Sequence, residues 1–432
     1  MAEYENNHYV PQLILRRYGE KINRYNLKTK EYIPYGNIKS CFKEKNLYPL
    51  DLELKLRDIE SKFADLLNNK ILNATDEIIL YRHEIALIKK FLVLQTFRVP
   101  DALVEKPGAK DRPEFSEKLY GYKEKTIEGE SFKDYIFRTM RVIIDSESLE
   151  KIPTHPDVTY EAIKWMLLYN NCYLTFWDSK ESGEDFIITD RGMTCEHEKT
   201  RFQFEHLGLK EELIKEGYML SHIMDPSTSK DMKEKYLLEG EKSRFVYANY
   251  YMFSISENRM IGLINPWYRL HFDENRIKWF NGTPDVFPCM LSKEALEPNT
   301  NRYVNQNKSI DGAFYGNYFD PKDEYIYKIK DLSFKDVCII NCMMLDRVSS
   351  VVGFVDTKRI VKSLNVYTNL YVHLNDYSEL KRILFENGYD FPKTKKLMDI
   401  AFGITYINFT PEEQKYINFI INLKNKMKNV KI

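Results

Sequence analysis

The spacing of apolar residues changes near residue 170, and that change constrains the fold more than any single motif does. Before it, Leu52, Leu56, Ile59, Phe63 and Leu66 recur at threes and fours, which predicts an amphipathic helix over residues 51 to 72. Thr75-Asp76-Glu77 reads as a helix start, with acids at the positive end of the dipole. The helix that follows is expected to run to about Phe97 and stop before Pro100, apolar on most sides, as a central helix would be. Further helices are expected near 131 to 144 and 158 to 169, and residues 20 to 36 alternate as a short hairpin around Lys28-Thr29-Lys30. Past residue 170 the segments Asn171 to Trp177 and Asp185 to Thr189 are β-rich, and the turn Ser182-Gly183-Glu184 predicts a hairpin between them. Residues 244 to 256 are aromatic and β-prone, and a strand-like piece follows Asp285 before the Asn-rich loop Asn299 to Asn307. Helices are expected at 334 to 348, 357 to 364, 377 to 387 and 411 to 427. The class is therefore α+β, with a helical N-terminal half that carries a short β hairpin and a mixed α/β C-terminal half. Three regions result: a motif-bearing helical region 1–104, a charged excursion with helices 105–170, and a mixed region 171–432.

The densest polar pattern lies at the start of the chain. Pro11 favours an extended residue before it and suits the first turn of a helix. Leu13, Ile14 and Leu15 carry that helix into a core, and Gly19 stops it. His8, Gln12, Arg16 and Arg17 are thereby crowded around one helix start. Imidazole titrates near neutral pH, so His8 is a candidate general acid or base, and Gln12 one turn on could orient a substrate or water. Arg16 lies one turn beyond Gln12, and the two guanidinium groups of Arg16 and Arg17 suit phosphate or carboxylate. The bland alternative is a structural plug, with His8 on a backbone group and an arginine paired to Glu60 or another buried acid.

Two more places carry polar groups where apolar ones are expected. Gln95 and Arg98 sit three apart near the end of an apolar helix, where an unpartnered amide or guanidinium is costly. A pocket shared with His8 and Gln12 would satisfy them, and an ion pair of Arg98 with Glu60 would do so equally well. Asp190 ends the strand Phe186 to Thr189 and precedes Arg191-Gly192, a place for a metal ligand, a general base, or an ordinary turn. Cys195-Glu196-His197-Glu198, with Glu205 and His206 beyond, lacks the spacing of a zinc site and reads as a charged loop. No glycine-rich phosphate loop, G-x-S-x-G elbow or kinase set is present.

These segments resemble, in order, those of domain-of-unknown-function family 4238, a prokaryotic family. Asn7 to Gln12 followed by Leu15-Arg16-Arg17-Tyr18 resembles its H-Y-V-P-Q opening and L-R-R-aromatic continuation. Ile22 to Tyr25 with Lys28 to Lys30 resembles its hairpin, Cys41 to Tyr48 its K-N-x-Y segment, and Leu56 to Glu60 its L-x-x-I-E helix. Phe91 to Pro100 is similar to its F-x-x-x-Q-x-x-R-x-P helix, and Phe186 to Asp190 to its F-x-T-S-D-x-P segment, with Arg191-Gly192 in place of the residue and proline. Phe287 to Leu296 and Val337 to Ser349 are weaker copies, the latter matched at Ile340 and Asn341. The likeness implies membership of a family of unassigned activity, and it adds Asn341 to the candidate ligand-binding set of Arg16, Arg17, Gln95 and Arg98.

Composition narrows the function. Lys and Arg equal Asp and Glu at 64 each, so capture of nucleic acid by the charge of the whole chain is not indicated, while local patches remain open. The six cysteines are scattered without a C-x-x-C pair, which implies buried thiols in a reducing cytoplasm. No leader is expected, because residues 1 to 10 are polar and charged, and no apolar run is long enough to span a bilayer. Three readings survive. A nucleic-acid-directed hydrolase, a nuclease or phosphodiesterase acting as an accessory or host-defence effector, would use His8, Gln12, Glu60 and Asp190 for chemistry, with the cofactor open and a divalent metal one candidate. A non-catalytic subunit would use the same arginines to bind a nucleotide, nucleic acid or protein. In the third, the polar cluster is architectural.

Overall fold

A computed structural model describes residues 6–104, 124–125, 127–170, 172–195, 250–264, 291–296, 302–304, 323–357, 359–360, 362–364, 366, 410–415 and 418. The chain is α+β. Its opening elements are β1 (Asn6–His8), α1 (Gln12–Leu15), β2 (Lys21–Asn26), β3 (Glu31–Asn37) and β4 (Lys43–Lys45). Then come α2 (Leu50–Leu66), β5 (Glu77–Tyr81), α3 (Arg82–Arg98), α4 (Phe132–Asp145) and α5 (Tyr160–Asn170). Next are β6 (Tyr173–Asp178), β7 (Ile188–Thr189), β8 (Met193–Cys195), β9 (Tyr250–Ser254) and β10 (Arg259–Ile264). The last are α6 (Lys293–Leu296), β11 (Arg302–Val304), β12 (Glu324–Asp331), α7 (Phe334–Arg347) and β13 (Val351–Phe354).

The helical layer follows the three-four spacing. Leu52, Leu56, Ile59, Phe63 and Leu66 are all buried, and Phe63 stacks on Phe91 of α3 with ring centroids 3.9 Å apart. Helix α3 buries Ile88, Phe91, Leu92, Val93, Leu94 and Phe97, so it has no continuous solvent face and sits among α2, α4 and α5. Among the described residues, no helix is long and apolar enough to cross a membrane.

Among the described residues, three sheets hold the rest. In the largest, β11, β12, β6, β10, β9 and β8 lie side by side, and β5 also pairs with β12. All its ladders are antiparallel except β12 with β6. Its centre is fixed by a buried ion pair: Arg259 and Asp178 stand opposite each other in register, joined by Nε to Oδ1 at 2.6 Å and Nη2 to Oδ2 at 2.7 Å. The same guanidinium donates from Nη1 to the carbonyls of Ile71 and, at 2.9 Å, Ala74, which fastens the sheet to the end of the α2 segment. Gly262 has no room for a side chain, since a Cβ there would lie 2.5 Å from the Trp177 ring and 2.6 Å from Thr175. A second sheet runs β3, β2, β13, β7, and β1 pairs with β4 as a separate ribbon.

Two local expectations are corrected. Thr75-Asp76-Glu77 does not begin a helix: Glu77–Tyr81 is a strand, with Ile78 and Leu80 buried between exposed Glu77 and Ile79, and the helix starts at Arg82. Glu84 supplies the start, accepting from the Tyr81 amide at 2.8 Å. The segments either side of Gly183 do not form a hairpin; β6 pairs with β10 and β12, whereas β7 pairs with β13 in the other sheet. The residues of β6 are buried on both faces, which demands neighbours on both sides and a covered sheet, and a two-residue hairpin supplies neither. The expected 131 to 144 and 158 to 169 helices appear as α4 and α5, and the 20 to 36 hairpin as β2 with β3. The expected 377 to 387 helix, the piece after Asp285 and most of the 411 to 427 helix lie outside the described residues, as do Glu196 to His206.

Candidate functional site

The opening motif is a strand, a proline corner and one turn of helix. Strand β1 pairs with β4 so that His8 stands opposite Lys43, and the Tyr9 amide donates to the Phe42 carbonyl at 3.0 Å. Pro11 breaks the ladder, and its carbonyl accepts from Ile14 and Leu15 at 3.0 and 3.1 Å to start the turn. Ile14 and Leu15 point inward, which leaves Gln12 and Arg16 on the outer face, and Gly19 ends the segment at φ 98°.

On that outer face, His8, Gln12 and Arg16 form a hydrogen-bonded row. Gln12 Nε2 lies 2.8 Å from His8 Nε2, and Arg16 Nη2 donates to Gln12 Oε1 at 3.1 Å. The row has one direction. A guanidinium only donates, so Gln12 must present its oxygen to Arg16 and its NH2 to His8, and His8 Nε2 must accept. That leaves the imidazole proton on Nδ1. The electrostatics agree: burial, then the charge of Lys43, push His8 down to about 4, with the Cys41 carbonyl opposing and Arg98 adding to the depression. Neutral pH finds His8 uncharged. Arg16, at the far end, is exposed. Arg17 turns the other way and donates to Asn68 Oδ1.

Behind the row the fold engages most polar groups, although Gln95 Oε1 and Arg98 Nε are buried without a hydrogen bond. Arg98 is buried, pairs through Nη1 with Glu60 Oε1, and donates from Nη2 to the His8 carbonyl at 2.9 Å. Its own carbonyl accepts from the Tyr48 hydroxyl, and burial followed by Glu60 and Tyr48 governs its charge balance, with Glu53 adding a second acid. Asn7 ties the same corner to the Leu47 amide at 2.8 Å. Gln95 donates to the Tyr9 carbonyl at 3.0 Å and the Arg191 carbonyl at 3.3 Å, bridging the motif to the turn after Asp190. Gly192 permits that bridge, since a Cβ there would approach Gln95 Nε2 to 3.0 Å and its φ is +64°.

Asp190 is buried and points at the junction of α7 and β13, accepting from Ser350 Oγ at 2.6 Å and the Ser349 amide at 3.1 Å. Burial pushes its carboxyl up, with those two bonds opposing. The Tyr9 phenol, held up first by burial and then by Asp190, faces this group through Ser350. Asn341 lies elsewhere: its amide donates to the Asp185 carbonyl and Ser363 Oγ, both at 2.9 Å, and accepts from the Ile187 amide at 3.2 Å. The structure thus joins His8, Gln12 and Arg16 in one row and Glu60, Arg98 and the His8 main chain in one clamp. Gln95 and Asp190 support neighbouring backbone, and Asn341 and Arg17 belong to other contacts. Among the described residues, no group of three or more His, Cys, Asp or Glu side chains is placed to hold a metal ion.

Lys43 and Glu53 escape a reading of the sequence. Glu53 stands seven before Glu60 on α2, two turns along the same face, a spacing that could have revealed it. Lys43 has no such signal, because the β1–β4 pairing that brings it to His8 is not written in local periodicity.

Fold and site define an α+β protein whose H-Y-V-P-Q opening is clamped onto a central helix through main-chain carbonyls, with a polar row left on the outside. The family model described as "Protein of unknown function (DUF4238)" matches residues 6–353, and the chain belongs to that family. No curated protein and no solved structure matches the chain.

Proposed function

We propose that this protein binds a phosphate-bearing ligand, a nucleic acid or a nucleotide, at the outer end of the His8–Gln12–Arg16 row. The observation that carries the reading is the local charge around an exposed guanidinium. Residues 16–46 hold nine Lys or Arg against three Glu, in a chain whose total charge is zero. Arg16 is exposed within that segment and is held in line by Gln12. Lys43, opposite His8, adds a second cation to the same face. In this reading Glu60, Gln95, Arg98 and Asp190 hold the platform rigid, since each already has its partner within the protein.

A hydrolase acting on nucleic acid is the second reading, favoured by one observation. A neutral His8 is the form that accepts a proton. Against it stands the Gln12 donor that already occupies Nε2. An accessory or host-defence role in a prokaryotic cytoplasm goes with either reading by analogy alone; Cys41, Cys172, Cys338 and Cys342, buried and in no disulfide, suit a reducing compartment.

The test is fluorescence anisotropy of labelled RNA, single-stranded DNA, duplex DNA and ATP with the full chain, at two salt concentrations. Each mixture is run with magnesium, manganese or chelator and inspected for cleavage. Salt-sensitive binding that Arg16→Ala weakens supports the binder. Cleavage that His8→Ala abolishes in a folded protein supports the hydrolase. Neither binding nor cleavage of any probe overturns both.

A further inference from the structure

Tyr35 is held out into solvent by a strained backbone on strand β3, within the Lys- and Arg-rich segment 16–46. It is 70% exposed, among the most exposed large apolar side chains of the described residues, and its φ is +50°. A bulky residue in the left-handed region is an outlier that persists only where its surroundings enforce it. Asn23 does the enforcing. Buried in β2, it accepts from the Tyr35 amide at 3.1 Å and from the Tyr32 hydroxyl at 3.3 Å through Oδ1, and donates from Nδ2 to the Val355 carbonyl at 2.7 Å. The β2–β3 register shifts between Ile22 and Arg24, beside this point. Gly36 then lets the chain pass, since a Cβ there would lie 3.2 Å from Ile33 and 3.3 Å from Arg24 Nε. The non-glycine residues with positive φ among those described are Lys30, Tyr35, Phe42 and Asn46, all within this one basic stretch.

The surroundings specify what such a ring would meet. Strand β3 is the outer strand of its sheet, but Pro34 offers no amide to an added strand, so main-chain pairing with a partner is blunted beside Tyr35. The exposed cations of the stretch are Arg16, Lys21, Lys28, Lys30, Lys39 and Lys45, with exposed Glu20, Glu31 and Glu44 between them. An exposed aromatic ring in a Lys- and Arg-rich segment, with the Arg24 guanidinium beside the adjacent Gly36, matches a nucleobase flanked by phosphates. We infer that Tyr35 is a stacking platform for an unpaired nucleobase, so that the ligand of this face is single-stranded nucleic acid. The inference rests on the phosphate-binding reading above and narrows its ligand. Duplex bases are already stacked on one another and offer the ring no free face.

The experiment measures anisotropy of a labelled oligothymidylate, an abasic phosphodiester strand of the same length, and a duplex, with the full chain and its variants. Tyr35→Ala is expected to weaken oligothymidylate binding roughly tenfold, the loss of one aromatic–base stack, while leaving the abasic strand unchanged. Tyr35→Phe should bind like the unmodified protein. Tyr35→Gly should lose the same affinity yet melt higher, because glycine relieves the positive φ. Unchanged oligothymidylate binding by Tyr35→Ala and Tyr35→Gly would overturn the inference, as would equal losses on the abasic strand. If Arg16→Ala weakens every probe while Tyr35→Ala weakens none, stacking falls and phosphate binding stands. If the unmodified protein binds no strand at all, both fall.

Discussion

Arg98 donates to the main-chain carbonyl of His8 at 2.9 Å, so the conspicuous motif at the start of the chain is gripped by its backbone and not by its side chain. The same guanidinium is paired with Glu60 and fully enclosed. Removing it would leave the half-buried Glu60 carboxylate without its cation and the His8 carbonyl without its donor, and free β1 from α3. Arg98→Ala is therefore expected to cost about 1–3 kcal/mol, the range for leaving a buried group such as the His8 carbonyl without its donor. Glu60→Gln keeps the geometry and one acceptor, and should cost less. Urea unfolding of both variants checks the order.

His8 makes stability depend on acid in a defined window. Its folded value of about 4 lies below the ordinary 6.5, through burial first and then Lys43, so between those values the unfolded chain binds more protons than the folded one. The contribution of neutral His8 is whole above about 6.5 and is lost as the pH falls toward about 4. An NMR titration of the His8 ring should find it uncharged at pH 5.5, and His8→Asn should flatten the fall in Tm across that window. A ring that titrates near 6.5 in the folded protein would refute the one-way row.

Much of this corner is legible in the amino-acid sequence, and the reason is physical. Polar residues on an apolar helix must be satisfied, so Gln95 and Arg98 by themselves call for partners, with Glu60 among the candidates. Periodicity likewise marks α2, α4 and α5. Pairing between distant strands leaves no such local mark. The segment of β6 resembles half of a hairpin because Gly183 is a good turn residue, yet its partners β10 and β12 lie far along the chain. Tyr35 is hidden for another reason: its exposure depends on Asn23, a residue whose burial no local pattern records.

Gln95 should behave as a structural bridge. Gln95→Ala removes two donations, to the buried Tyr9 carbonyl and the part-buried Arg191 carbonyl, and leaves both short of a partner. A loss of about 1–3 kcal/mol is expected, with ligand binding intact once the protein is folded. Denaturant midpoints, read beside anisotropy at low temperature, separate the two effects.

Glu184 gives a pH dependence of opposite sign to His8. Burial raises its carboxyl to about 8, with Asp185 adding to the rise while Ser363 and Lys362 oppose it. Its Oε2 accepts from Ser363 Oγ at 2.7 Å, and its Oε1 is buried without a hydrogen bond. The folded chain holds this proton where the unfolded one has released it, so stability falls as pH climbs from about 4.5 to about 8. Glu184→Gln carries no proton to lose. Its Tm at pH 9 should match its Tm at pH 6, whereas the unmodified protein should melt lower at pH 9.

Asp190 separates the two functional readings. As a general base or metal ligand it would be needed for chemistry and dispensable for folding, so Asp190→Ala would abolish activity at unchanged Tm. The structure gives it a different occupation: both oxygens are engaged, by the Ser349 amide and the Ser350 hydroxyl, at the junction of α7 and β13. Asp190→Ala should then lower stability by about 1–3 kcal/mol, while Asp190→Asn, which keeps one acceptor oxygen, should recover part of it. Neither variant should change the affinity for single-stranded nucleic acid measured below its own Tm. A folded Asp190→Asn protein of unchanged Tm that had lost a cleavage activity present in the unmodified chain would return this carboxylate to the reaction and the protein to the hydrolases.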